Sequence, residues 1–158
     1  MGNRIEAKGL VEELIAGYKL PEADVIDLFR DVPLDFPIFF RKRLPFLVNR
    51  FGMIGITLRG HVWLLEKTKT DNPIWLLGLI RHEAEHVRQQ RLEPLLFYPR
   101  YLLYWLGNFL NPLPSTNLRD LRKRYARTHG AYRAIPYEIA AYGAGDHLKE
   151  ILRQSWQK

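Results

Sequence analysis

No cysteine occurs among the 158 residues. That excludes a disulfide scaffold and any zinc site built on thiolates. A metal held by this chain must be held by imidazole and carboxylate. Acids are also in short supply: 17 Asp and Glu face 24 Lys and Arg, for a formal net charge of +7 and a pI of about 9.8. Such a balance suits an acidic partner, whether nucleic acid, anionic lipid or an acidic polypeptide, without choosing among them. No uninterrupted apolar run reaches the length of a membrane span. The stretch from Met1 to Glu6 has no apolar signal core. Gly2 does not open a myristoylation signal, because position 6 is Glu. The expectation from these absences is a cytoplasmic protein. What is present is ordinary for a folded chain: 47% hydrophobic and 26% charged residues, with aromatics high at 13%. The length fits one domain, residues 1–158, with a real core.

Along the chain, Ile5, Leu10, Val11, Leu14 and Ile15 recur at helical spacing over residues 5–18. A second helix starts at Pro21, with Glu22 and Asp24 in its first turn, and runs to about Arg30. Residues 32–47 are rich in Pro and Phe and read as an irregular segment with a short helix. Residues 1–50 are thus expected as a helical N-terminal segment packed on the core. Residues 53–66 alternate β-branched and aromatic side chains around Arg59-Gly60, which predicts a β-hairpin. Asn72 as cap and Pro73 at the first position start a helix that runs to about Gln90. Its first half is apolar on all sides and is expected to be buried, with Gly78 leaving room for a close neighbour. Residues 95–110 are aromatic and apolar, and core packing is the expected role, with membrane-surface contact as the alternative. A helix from Asn117 carries five basic residues between Arg119 and Arg127.

The chemistry centres on His82-Glu83-Ala84-Glu85-His86. Side chains four apart on a helix lie on one face, so His82 and His86 can offer two imidazole nitrogens to one ion. Glu83 lies close enough to reach a water on it. This is the H-E-x-x-H arrangement of zinc metallopeptidases, two ligands and a general base. Five His in 158 residues make such a motif by chance in about one chain in a hundred. A buried helix ending in two such histidines favours a metal, since buried imidazoles need a partner.

Catalytic zinc takes three protein ligands and keeps one position open. Downstream, the candidates are Asp120, His129, Glu138, Asp146, His147 and Glu150. Glu138 falls in the first turn of a helix opened by Pro136, where small Ala140 and Ala141 allow close packing on another helix. An acid there is also favoured by the helix dipole alone. Beside the upstream motif, Glu138 is the first candidate for third ligand and His129 the second.

Three segments carry a family resemblance. They are His82-Glu83-x-x-His86-Val87-x-Gln89, then Arg100-Tyr101-Leu102-Leu103, then Ala131-Tyr132-Arg133-x-Ile135-Pro136-Tyr137-Glu138-x-x-Ala141-Tyr142. Together, over residues 53–145, the chain resembles small bacterial and archaeal proteins of the minigluzincin type, with a stripped-down gluzincin core. The resemblance implies an α+β fold: a mostly helical zincin-like domain with a short antiparallel hairpin or sheet before the motif helix. It implies a zinc metallopeptidase in which His82, His86 and Glu138 bind Zn2+ and Glu83 is the catalytic base. The hairpin would lie over the cleft, and its strand Val62 to Leu65 would pair with an extended peptide or protein substrate. Thermolysin-like gluzincins place an Asp four residues after the ligand Glu; here that position is Tyr142, so the partners of the zinc histidines are unassigned. Such proteins also resemble latent forms, whose cleft residues 1–50 or a helical tail 146–158 would fill. Tyr142, Tyr132 and Arg133 are candidates for stabilising an oxyanion. Two other functions fit the residues: a catalytically silent zinc-binding interaction protein, and a basic surface, residues 119–127 with Arg41 to Arg43, that binds nucleic acid or an anionic membrane.

Overall fold

The computed structural model describes residues 4–44, 53–69, 72–111, 115–124 and 127–156. In chain order they form β1 (Arg4–Glu6), α1 (Ala7–Tyr18), α2 (Glu22–Leu28), β2 (Pro37–Arg41), β3 (Gly55–Leu58), β4 (His61–Leu65), α3 (Pro73–Leu92), α4 (Phe97–Leu110), α5 (Thr116–Arg124), α6 (Arg127–Arg133) and α7 (Pro136–Trp156). The fold is α+β, mostly helical, with one four-stranded sheet in the order β1-β2-β4-β3.

The hairpin stands as its sequence indicates. Arg59 and Gly60 both take positive φ, 50° and 72°, which matches the twist a two-residue turn needs. The sheet around it is not a lone hairpin. Residues 32–47 were expected to be irregular, yet Pro37–Arg41 forms β2, parallel to β4 and antiparallel to β1. Pro37 opens the strand, where its missing N–H is tolerated. Ile38 and Phe40 point into the core and alternate with half-buried Pro37, Phe39 and Arg41, but Phe39, stacked with His61 and Trp63, is apolar too, so the sequence does not alternate apolar with polar. Residues 45–47 of that expectation lie outside the described residues. Ile5, expected in a helix, instead pairs with Ile38 in β1. The first N–H groups of α1 are taken by loop carbonyls, Ala7 to Phe36 and Lys8 to Leu34. The N-terminal segment is therefore half of the sheet as well as two helices.

α3 is the central element, packed on α1, on α7 and against β3. Asn72 Oδ1 accepts from the Trp75 N–H at 2.9 Å, and Pro73 follows at the first position. Burial does not stop with the apolar half: His82, Glu83, Glu85 and His86 are buried too. Arg81 ties this helix to the segment after α2, donating to the Leu28 carbonyl at 2.9 Å and to Asp31.

α7 crosses α3 at two glycines. A Cβ on Gly145 would lie 2.6 Å from the Gly78 carbonyl oxygen and 3.4 Å from His82 Cβ. The two backbones touch there, one turn from the motif, as only a glycine at position 145 permits. Of the helical tail expected over 146–158, residues 146–156 are helical and continue α7 without a break, placing Leu148 and Leu152 in the core; residues 157–158 lie outside the described residues. One hydrophobic cluster runs from Ala7 on α1 to Leu152 on α7.

The expected core role of residues 95–110 is overturned. Within α4 only Phe97 is buried, while Leu102, Leu103, Leu106 and Leu110 are exposed.

Candidate metal centre

Two helices build the site. Their crossing sets α3 and α7 side by side, so Glu138, about two turns up α7 from Gly145, faces the two histidines of α3. His86 Nε2 stands 3.1 Å from Glu138 Oε1, and His82 Nε2 stands 3.6 Å from Oε2. One donor atom from each of the three residues lies within 4.8 Å of the others. All three side chains are buried.

Two features test whether these residues fit a metal. The donor set, two imidazoles and a carboxylate, is that of a three-ligand catalytic zinc site. Glu138 Oε2 is buried with no hydrogen-bond partner. An orphan carboxylate oxygen is costly in a protein interior, and a cation between the imidazoles would satisfy it. The residues fit.

Their orientation is held from behind. His86 Nδ1 meets Gln89 Oε1 at 2.9 Å, and Gln89 Nε2 donates to Glu85 Oε1 and to the Tyr137 carbonyl. An Nδ1–H given to Gln89 leaves Nε2 free to ligate. His82 hydrogen-bonds the backbone of Ala141. Its ring lies 4.5 Å from that of Tyr142, and the Arg133 guanidinium lies 3.8 Å from the centre of the Tyr142 ring. So the position occupied by Asp in thermolysin-like proteins holds a ring that packs on the imidazole. Tyr101 OH donates to Glu138 Oε1 at 2.6 Å.

Burial lowers the pKa of His82 to about 3, helped by the neighbouring charge of His86. Burial pulls His86 the same way, but Glu138, Glu83 and Gln89 outweigh it and hold His86 at about 9. Burial would raise Glu138; the two histidines and Tyr101 hold it at about 2 instead. Without a metal the site is therefore a buried imidazolium–carboxylate pair.

Glu83 reaches the sheet. Thr57 Oγ1 donates to Glu83 Oε2 at 2.5 Å. A Cβ on Gly55 would come within 2.6 Å of Glu83 Oε1. Burial raises the carboxyl to about 7, against the pull of His86 and Thr57. Two cavities flank it. One, of about 290 Å³, is lined by His82, Tyr142, Arg133 and Lys149; the other, of about 250 Å³, by His86, Glu138, Tyr98 and Tyr101. Glu83, Gly55 and Tyr132 line both.

The remaining candidates stand apart. His129 lines the larger cavity beside Tyr132 but is not in the three-residue group. Asp146 lines that cavity as well and pairs with Lys149 at 2.5 Å. Asp120, His147 and Glu150 are exposed. No described residue before position 53 lines either cavity. The strand Val62 to Leu65, expected to receive a peptide, is β4, and both its edges are already paired, with β2 and β3. Among the described residues the open edge next to Glu83 belongs to β3.

The sequence assigns no role in the site to Tyr101, Gln89, Thr57 or Gly55. Gln89 carried a readable signal, three residues after His86 on the same helix face. Tyr101 and Thr57 act from other elements, and no local spacing marks them.

Comparison of the chain with protein-family models, with curated proteins and with solved structures finds no match.

Proposed function

We propose that this chain is a zinc-dependent hydrolase with a zincin-like core, cleaving peptide bonds in the manner of the H-E-x-x-H metallopeptidases. One observation carries the reading: His82, His86 and Glu138 converge within 4.8 Å with an unpartnered Glu138 oxygen, beside a buried Glu83. His82, His86 and Glu138 would hold the ion. Zinc bound there supplies Lewis acidity, polarising a carbonyl and acidifying water.

The chain's own groups supply the rest. Glu83, raised to about 7, is poised to take a proton from water and give it to the leaving amine as the C–N bond breaks. An extended substrate would add to the open edge of β3. Gln90 Nε2 already holds the Thr57 carbonyl at 2.9 Å, so strand addition centres on Gly55 and the residues before it. Tyr132, which lines both cavities, would be the phenol that donates to a developing oxyanion.

The test is zinc content and turnover on the same preparations. Wild type should take up about one zinc per chain, and Glu138→Ala should lose it. Zinc-loaded wild type should cleave an unstructured protein such as casein, and zinc-loaded Glu83→Gln should not. Failure of wild type to take up offered zinc sinks the metal reading. Zinc uptake with no cleavage by wild type sinks the peptidase reading alone.

A further inference from the structure

We propose that the outer face of α4 is a docking surface for an anionic lipid bilayer. The inward side of this helix is accounted for. Phe97 is buried beside His86, Tyr101 reaches Glu138, and Asn108 donates to the Ala131 carbonyl of α6 at 3.2 Å. The opposite side is a run of leucines at helical spacing: Leu102 is 61% exposed, Leu103 67% and Leu110 59%, with Leu106 between them. Leu95, in the turn before the helix, is 85% exposed. A contiguous apolar face of this kind on a charged protein marks an interaction site.

Charge selects the occupant. From Pro94 to Arg119 there is no acidic residue at all. Residues 93–133 hold seven Lys and Arg against Glu93 and Asp120, a net +5, with Arg100 paired to Glu93 at 2.6 Å. Of the helices that carry this charge, α6 packs on α4, and α5 packs in turn on α6. Arg119, Lys123 and Arg124 of α5 are exposed. A second copy of the chain would bring two such basic segments together, which is unfavourable. An anionic bilayer offers hydrocarbon to the leucines and phosphate to the cations, and each cation near such a surface adds to binding. Among the described residues no helix is long and apolar enough to cross a membrane, so α4, with 14 residues, would lie in the interface plane. Tyr104, 43% exposed on the same helix, suits the headgroup level.

The experiment is vesicle co-sedimentation of the full chain. Three samples are compared: phosphatidylcholine alone, the same lipid with about one-third phosphatidylglycerol, and the second mixture with the variant Leu102→Ser/Leu103→Ser/Leu106→Ser. These leucines are exposed, and far-UV circular dichroism checks that the variant is folded. Wild type should bind the anionic vesicles at least about tenfold more tightly than the neutral ones, and the variant should lose about as much. No binding to anionic vesicles overturns the proposal. Equal binding by the folded variant overturns it too, leaving adsorption by charge alone. Leucine-dependent dimerisation without vesicle binding assigns the face to a second copy instead.

Discussion

Tyr101 of α4 donates its hydroxyl proton to Glu138 Oε1 of α7, the oxygen that also faces His86 Nε2. The phenol is part-buried, and its desolvation together with the Glu138 charge pushes its pKa well above the usual range, so it stays a donor. It therefore fixes which carboxylate oxygen faces which imidazole. Tyr101→Phe keeps the ring and removes that bond. Zinc affinity should fall about tenfold or more, with the fold retained. Competition titration against a zinc chelator measures this; an unchanged affinity would mean that helix packing alone orients Glu138.

Glu83 gives the metal-free protein a pH-dependent cost. Its folded pKa, about 7, lies above the ordinary 4.5 because the carboxyl is buried. A raised pKa means the folded state holds the proton more tightly. The stability this group contributes is fully present below about pH 4.5 and is lost as pH rises through 7. Glu83→Gln has no proton to lose. The variant's stability relative to metal-free wild type should rise across that window, by up to about 3 kcal/mol, and level off above it. Urea unfolding of both proteins at several pH values reads the difference directly. A flat difference would place the Glu83 carboxylate in water.

Local rules reached some of this molecule and not the rest. Asn72-Pro73, Arg59-Gly60 and the His82–His86 spacing are decided within a few residues of chain, and each is found where the pattern places it. β2 is different. Ile38 and Phe40 are strand residues because β1 and β4 lie on either side, a fact that no window around Pro37 contains. α4 misleads in the opposite way: its leucines look like core, and only the packing of α6 and α7 reveals that one side was left uncovered. Glu138 was legible as a first-turn acid of a close-packing helix. The residues that hold the site from other elements, Tyr101 and Thr57, are visible only once the fold brings them in.

The glycine crossing separates two substitutions that look equivalent. At Gly145 an added methyl meets backbone, the Gly78 oxygen at 2.6 Å, and then His82 Cβ. Neither can swing aside, so Gly145→Ala must push α7 away from α3 and carry Glu138 with it. We expect a loss of about 1–3 kcal/mol and markedly weaker zinc binding. At Gly78 the three nearest atoms all belong to the Lys149 side chain, which can rotate away. Gly78→Ala should be close to neutral, the gain in helix propensity of up to about 1 kcal/mol offsetting the displaced lysine. Thermal unfolding and zinc titration of the pair make the comparison. Equal effects would mean that the helices do not meet through backbone here.

Gly55 offers a way to move Glu83 without touching the metal ligands. Its Cβ would lie 2.6 Å from Glu83 Oε1 and 2.8 Å from Leu64 Cδ2, so Gly55→Ala forces the carboxylate off its place between Thr57 and the cavities. Gly55 has ordinary backbone angles for a strand, so the alanine clashes only through its side chain. His82, His86 and Glu138 lie on α3 and α7 and keep their positions. Zinc stoichiometry should therefore stay at wild-type level while hydrolysis falls about 10²-fold or more, the scale of a displaced general base. A smaller residue at Leu64 would relieve the second contact but not the first, so Gly55→Ala/Leu64→Val should recover stability and leave activity low. Recovery of turnover in that double variant would show that strand packing, and not the seat of Glu83, had limited the reaction.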